Sequence, residues 1–210
     1  MSAETVAGRV TQGPRTVLPT EFGRFAAVGF FDMLTGDEHL VLISPLGLGS
    51  PGEPGLVRVQ SECVTGEVFG SLRCDCGAQR DQALALIAEQ PGALIYLRGH
   101  EGRGMGLLAK LQGHRLQDEG LDLVEAQLEL GLPVDSREYG AAAAILDALG
   151  CTRIRLLTNS PGKVEALSAA GIDLVSVQPL RTRPTLLNTA HLRAKRDRLG
   201  HHLPLEPASD

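Results

Sequence analysis

Three of the four cysteines fall within one short run, "CVTGEVFGSLRCDC", as Cys63, Cys74 and Cys76. Thiols so close together make a disulfide with a spare, an inert buried cluster, or three ligands for a metal. The amino terminus, "MSAETVAGRVTQGPRT", lacks the apolar core of a signal peptide, and no stretch approaches the ~20 apolar residues of a membrane span. The expected compartment is therefore the cytoplasm, where thiols stay reduced. One residue separates Cys74 from Cys76, an awkward distance for a bridge. A metal site, with zinc the favoured ion, is the stronger reading. A closed structural zinc site takes four protein ligands, and no fourth Cys or His stands nearby. His100 and His114, 24 and 38 residues beyond Cys76, could return in space. Three ligands leave a position for water, as a hydrolytic zinc requires. Cys151, alone in "ALGCTRIRLL", reads as a small buried residue.

Two further stretches could handle an anion. In "RGHEGRGMG" the third glycine of a dinucleotide fingerprint would fall on Leu107, so that motif fails. A flexible loop remains, carrying Glu101 and Arg103 into a helix amino terminus, where an anion is favoured. In "LLTNSPGKVEAL", Ser160 fits an N-cap with Pro161 at the first helical position. Thr158 and Lys163 then flank the carboxyl end of a strand, where α/β proteins tend to bind ligands. The Walker A pattern is absent. In "LPVDSREYG", the plainest reading makes Asp135 an N-cap and leaves Arg137 exposed.

The elements that must position these groups alternate. "RFAAVGFFD", "EHLVLISPLG" and "LVRVQSEC" read as strands, the last half-buried by its alternation, and "GSPGEPG" reads as a loop. "AQRDQALALIAEQ" is helical, "GALIYLRG" a buried strand, and "GRGMGLLAKLQGHRLQDEG" a Gly-rich turn running into a helix. "SREYGAAAAILDALG" is a helix closed by Gly150. "RIRLLTNS", "PGKVEALSAAG" and "IDLVSVQPL" follow as strand, helix and strand. The expected fold is α/β, a mixed and partly parallel sheet with flanking helices. Residues 1–20 are expected to form a loose arm, 21–180 the main domain, and 181–210 a basic polar tail. With "RTRP" and "RAKRDR", that tail reads as a solvated surface helix.

The 210 residues are 43% hydrophobic and 21% charged, ordinary for a globular protein with room for a core. Aromatic residues make up 3%, Trp is missing and the net charge is -5. Base-stacking platforms and a broad basic footprint are therefore lacking, so nucleic acid is not an expected partner. Neither is a membrane.

Taken together, residues 14–202 resemble the GTP cyclohydrolase II family, zinc enzymes of riboflavin biosynthesis. The resemblance runs through "RVQSECVTGEVFGSLRCDCG", "HEGRGMGLLAKL", "LQDEGLDLVEA", "LGLPVDSREYG" and "RLLTNSPGKVEAL". Bifunctional relatives of the family carry a dihydroxybutanone-phosphate synthase half at the amino terminus, and the 210 residues are expected to have no room for one. It implies that Cys63, Cys74 and Cys76 hold one zinc ion. It places Arg58, Val59, Gln60, Ser61, Glu62, Gln79, Glu101, Gly102, Arg103, Leu123, Thr158 and Lys163 at nucleotide-binding positions. Asp135 matches the proton acceptor, and Arg137 the residue proposed to attack the α-phosphate. Since guanidinium stays protonated above pH 12, phosphate orientation and charge stabilisation suit Arg137 better. The resemblance also implies Mg2+ with the triphosphate and a homodimer.

The implied reaction opens the imidazole ring of GTP. It releases pyrophosphate and formate and leaves 2,5-diamino-6-(5-phosphoribosylamino)pyrimidin-4-one. Zinc lowers the pKa of a bound water from 15.7 towards ~7, making hydroxide available at neutral pH. Three thiolates blunt the metal's Lewis acidity, so nearby acid–base groups must help.

Three positions depart from the family. Gln60 replaces a histidine, His114 a tyrosine, and Leu123 a threonine at a nucleotide-contacting position. His114 follows Leu107 and Leu111 at helical spacing and is expected on the same inward face. An imidazole titrates near 6.5 where a phenol titrates near 10, so it could act as a base at neutral pH. Leu123 removes a hydroxyl at a cost of about 1–3 kcal/mol to whatever that group bonded. These changes mark a divergent paralogue that completes the reaction less well, stops at the formamide, or takes another purine nucleotide. The alternatives are a non-catalytic nucleotide-binding protein with structural zinc, and a hydrolase of a different heterocycle.

Overall fold

In the computed structural model, residues 8–50 and 52–203 are described. The chain forms two compact units, each built from discontinuous stretches. The first unit comprises the described part of Met1–Ser61 with Arg80–Arg98 and Glu138–Leu180. It holds a seven-stranded sheet in the order β1-β2-β3-β7-β6-β8-β9. β1 (Val10–Thr20), β2 (Gly23–Asp32) and β3 (Glu38–Ile43) form an antiparallel meander. β3 pairs antiparallel with β7 (Gly92–Leu97). β6 (Leu56–Ser61), β7, β8 (Arg153–Leu157) and β9 (Asp173–Gln178) run parallel. The mixed, partly parallel α/β sheet read from the sequence is what forms.

Alternation along the strands sorts side chains onto two faces. Val28, Phe30, Val41, Ile43, Val57, Ile95 and Ile154 join one core cluster with the Ala-rich α5 (Gly140–Ala148). α6 (Pro161–Ala169) adds Leu167 to the same cluster. Phe25, Leu42, Leu56, Leu94 and Leu157 face the other way. They pack on Ala83, Leu84 and Ile87 of α2 (Cys76–Ala88). The parallel strands are thus covered on both sides, as crossover helices require.

Three expectations change. Val10–Thr20, expected within a loose arm, forms the edge strand β1, and residues 1–7 lie outside the described residues. Its side chains stay largely exposed, so no apolar alternation announces it. The register shift between Gln12 and Arg15 accommodates Gly13 and Pro14 at the open edge. "GSPGEPG" carries a short ladder of β4 (Gly49–Ser50) with β5 (Glu53–Pro54). β6 is buried on both faces: its polar alternation comes from Arg58 and Gln60, which hydrogen-bond each other instead of facing water.

A buried ion cluster ties β1 to β2. The Arg9 guanidinium donates to Asp32 through Nε and Nη2 (2.6 Å to Oδ2) and also pairs with Glu138. Asp32 is fully buried.

The second unit comprises Glu62–Gln79, Gly99–Arg137 and the described part of Arg181–Asp210. Its helices are α1 (Val64–Glu67), the first turn of α2, α3 (Gly106–Asp118), α4 (Leu123–Glu129) and α7 (Thr189–Leu199). A 3-10 turn spans Glu101–Gly104. α4 starts in a capping box, Asp122 accepting from the Val124 and Glu125 amides while Glu125 accepts from the Asp122 amide. In the segment expected to be a solvated tail, α7 buries Leu192 and Ala194, and residues 204–210 lie outside the described residues. Among the described residues, no helix is long and apolar enough to cross a membrane.

Candidate metal and nucleotide site

In the second unit, α1 begins one residue after Cys63 and α2 begins at Cys76, so two short helical starts bring the thiols together. Cys63 Sγ and Cys74 Sγ lie 3.8 Å apart, and all three Sγ atoms fall within 4.8 Å of one another. A tetrahedral zinc with Zn–S bonds of about 2.3 Å needs sulfur–sulfur edges of about 3.8 Å, which the Cys63–Cys74 pair matches and to which the third sulfur lies close. All four cysteines are free thiols. Among the described residues, this is the only cluster of three or more His, Cys, Asp or Glu ligand atoms.

The cluster needs glycine beside it. A Cβ on Gly66 would come within 2.6 Å of Cys74 Sγ and 3.2 Å of Cys63 Sγ. One on Gly77 would come within 2.6 Å of the Gly66 carbonyl oxygen. Both glycines let the ligand-bearing segments close onto each other. The only sequence signal for them is their place in "CVTG" and "CDCG", beside the cysteines.

Charge around the thiols is uneven. Cys63 is held well below the ordinary thiol range by hydrogen bonds from the Cys74 and Cys76 thiols, against burial and with help from Lys110. The resulting thiolate keeps Cys74 and Cys76 protonated, their pKa values pushed up by the Cys63 sulfur and by burial. Lys110, which the sequence reading passed over, donates to Cys63 Sγ at 3.1 Å and to Glu101 Oε1 at 2.6 Å. Glu101 is buried, and its Oε2 accepts from the Val64 amide at 2.6 Å. Glu101 and Lys110 therefore hold the Cys63 turn against the 3-10 turn. Outer partners of metal ligands typically carry 10–100-fold in metal affinity. Lys110→Met is expected to weaken zinc binding by roughly that factor, measured by competition with a chromogenic chelator. An unchanged affinity would remove Lys110 from the site.

The 3-10 turn is strained. Arg103 sits at φ 61°, ψ 40°, a left-handed conformation that costs a bulky residue on the order of 1–3 kcal/mol. Ser136 offsets this by donating its amide to the Arg103 carbonyl at 3.1 Å, and Arg103 Nη1 donates to the Val134 carbonyl. A Cβ on Gly104 would meet the Ser136 carbonyl carbon at 3.3 Å, so the turn and the 134–137 segment lie against each other.

Asp135 caps no helix: α5 starts at Gly140, and the Asp135 carboxylate accepts from Arg137 instead. Arg137 donates its amide and Nε to Oδ1 (3.0 and 2.9 Å) and Nη2 to Oδ2 (2.5 Å), a bidentate pair. Arg137 is largely buried, not exposed. Burial raises the Asp135 carboxyl, but Arg137 outweighs it and the group stays below its usual value.

The inward apolar stripe expected for α3 is missing. Leu107 and Leu111 are 39% and 47% exposed, and Gly113 is the buried residue of this helix. No layer of the described chain covers those leucines. His114 is half-buried, and its imidazole is lowered by burial and by the charges of Lys110 and Arg73. Leu123 opens α4, Gln79 donates to Asp75 Oδ2, and Glu62 accepts from the Gly99 amide.

The first unit brings Arg58, Val59, Gln60, Thr158 and Lys163 together. β6 pairs with β8 only at Leu56 and Val57. Beyond them Arg58 Nη1 donates to the Leu157 carbonyl at 3.2 Å, and Lys163 Nζ donates to the Val59 carbonyl at 2.7 Å. Lys163 also lies 5.5 Å from the Tyr139 ring centroid. The chain runs from β6 to β7 on one side and returns to β8 on the other, making the β6/β8 boundary the switch point of the parallel strands. Crevices at such carboxyl ends are where α/β sheets bind ligands. Gln60 Oε1 accepts from Arg58 Nε at 2.9 Å, so the glutamine orients that cation. Ser160 and Pro161 take the expected N-cap and first helical positions, and Ser160 donates its amide to Thr158 Oγ1.

Together these features define an α/β protein with a three-thiol cluster able to hold a metal ion. The chain belongs to the GTP cyclohydrolase II family, whose pattern matches residues 11–179. It is 53% identical over 190 residues to GTP cyclohydrolase-2 of Streptomyces coelicolor, covering 90% of this chain and 85% of that protein. It is 49% identical over 189 residues to the riboflavin biosynthesis protein RibBA of Rhodococcus erythropolis, and spans 45% of that relative's length. Among solved structures, the two-domain 3,4-dihydroxy-2-butanone 4-phosphate synthase RibBX of A. baumannii is similar over 86% of this chain and 43% of that one. The two share 22% identity, with a TM-score of 0.44.

Proposed function

We propose that this chain is a GTP cyclohydrolase II of riboflavin biosynthesis that opens the imidazole ring of GTP hydrolytically, with zinc at Cys63, Cys74 and Cys76. The observation that carries the reading is the three-thiol cluster at zinc spacing in a chain of this family. Two waters add at C8, one opening the ring to a formamide and one releasing formate. A third cleaves the triphosphate and releases pyrophosphate. Zinc, when bound, supplies Lewis acidity and activates a water.

The chain's own residues do the rest. Lys110 offsets the thiolate charge at Cys63. Arg137 orients the phosphates, with Mg2+ on the triphosphate, and Asp135 is the proton acceptor. In the absence of nucleotide each occupies the other, so Asp135 is a weak base. A triphosphate that draws Arg137 away raises the Asp135 carboxyl toward its ordinary range and gives it basicity when substrate is present. Arg58, Val59, Gln60, Ser61, Glu62, Gln79, Glu101, Gly102, Arg103, Leu123, Thr158 and Lys163 contact the nucleotide. The working form is a homodimer, a reading favoured by the uncovered Leu107, Leu108 and Leu111.

Incubation with GTP, Mg2+ and zinc, with formate, pyrophosphate and pyrimidine quantified, tests this function. No turnover of GTP or any other purine nucleotide would end it. A second reading, arrest at the formamide or use of another purine nucleotide, is favoured by His114 where the family carries tyrosine. His114→Tyr is then expected to raise formate per pyrophosphate toward one. An unchanged product ratio would show that His114 does not set how far the reaction runs.

A further inference from the structure

We propose that the carboxy-terminal segment is part of the metal centre: Lys195 and Thr182 grip the Asp75 carboxylate and thereby hold Cys74 and Cys76 in ligating position. The inference rests on the zinc reading above, and its donors Thr182 and Lys195 lie beyond residue 179, where the family pattern ends although the similarity to the Streptomyces coelicolor relative runs past it.

Asp75 stands between two of the three thiols and is 2% exposed. Its Oδ1 accepts from Lys195 Nζ at 3.1 Å. Its Oδ2 accepts from Thr182 Oγ1 at 3.0 Å and from Gln79 Nε2 at 2.5 Å. Three donors, two of them from residues more than a hundred positions away in sequence, leave this carboxylate no rotation that keeps its partners. A side chain so fixed also fixes the backbone of the one-residue link between Cys74 and Cys76.

Lys195 is itself held. α7 buries Leu192, one turn before it, together with Ala194. Arg198, one turn after it, pairs with Asp122 at 2.7 Å, the residue that caps α4. The helix is therefore docked by apolar and ionic contacts on both sides of the lysine. Three thiolates leave a divalent ion formally at -1, and Asp75 adds another negative charge beside them. Lys195 compensates that charge at the Cys74–Cys76 end, as Lys110 does at Cys63. Without Lys195 an unpaired buried carboxylate would face the ligand loop, and the loop would have to open to hydrate it. Lys195 is accordingly a positioning residue.

The test is zinc release from the full-length protein to a chromogenic chelator, with circular dichroism as the fold control. Lys195→Met is expected to release zinc at least about tenfold faster than the parent. Lys195→Arg, which keeps the charge and donors, should stay within about threefold. Zinc release from Lys195→Met within twofold of the parent would overturn the proposal. If Lys195→Met does not fold, Thr182→Val removes one hydrogen bond from the same carboxylate. It should speed release about threefold, and an unchanged rate overturns the proposal equally. A parent protein that binds no zinc would overturn both this inference and the zinc reading. A zinc-retaining parent with indifferent variants overturns this inference alone.

Discussion

Cys74→Ser is expected to leave a folded protein that holds no zinc and opens the ring of GTP about 1,000-fold more slowly, or not at all. The sulfur it removes lies 3.8 Å from Cys63 Sγ, so the substitution leaves two ligands where three converge. Serine is a poor replacement: its hydroxyl stays protonated where a thiol ionises, and its shorter bond to Cβ withdraws the donor atom. The first unit's core clusters contain none of Cys63, Cys74 and Cys76, so its sheet is expected to fold with or without a metal. Metal analysis, circular dichroism and nucleotide chromatography together read the result. A zinc-free variant with parental turnover would refute the metal's role in the reaction. Global unfolding of Cys74→Ser, with GTP recovered intact from the parent, would support the alternative of a nucleotide-binding protein with structural zinc.

Arg9→Met should strongly destabilise the sheet unit. Asp32 has 0% exposure, and its carboxylate rests on Arg9 Nε and Nη2. Removing one partner of a buried pair leaves an uncompensated charge, a loss of about 3–5 kcal/mol. Tm is expected to fall by roughly 10 °C. Glu138, half-exposed, adds little to that figure. The sign of the pH dependence follows from the two carboxyls. Burial raises both, but the hydrogen bonds and charge of Arg9 outweigh it and hold both below their ordinary values. Their contribution is complete above the unfolded carboxylate range near pH 4 and is lost as pH falls below it. Thermal melts of parent and Arg9→Met from pH 7 to 3 should therefore converge at the acid end. Asp32→Asn placed in the Arg9→Met background should restore part of the stability, because it removes the unpaired charge. Parallel melting curves at all pH values would show that the pair contributes nothing.

Much of the centre was legible because its parts are local. Cys63, Cys74 and Cys76 sit within one short run, and the segment folds on itself around Gly66. Asp135 and Arg137 stand out as neighbours, but their pairing does not: the sequence suggests a helix cap and an exposed arginine where a tight turn closes the two side chains on each other. The alternation of strands and helices after residue 90 announced parallel strands, since such a pattern buries its apolar faces in that arrangement. What the sequence hid depends on distance. Lys110 reaches Cys63 across 47 positions and Lys195 reaches Asp75 across 120, and each looks like an ordinary surface lysine when read in its own helix. β1 was hidden for another reason: an edge strand with exposed side chains carries no hydrophobic period. The leucines before His114 misled in the opposite sense, their spacing suggesting a buried stripe where no layer of the described chain covers them.

The fate of C8 is the decisive readout. GTP labelled with carbon-13 at C8 is incubated with the zinc-loaded protein and Mg2+ and followed by NMR. The aromatic C8 signal is expected to disappear and the label to emerge as formate, or as a formamide if the reaction stops there. In Cys74→Ser no label should move. Label that stays in the intact guanine ring, while GTP still raises the melting temperature of the protein, would contradict the proposed ring opening.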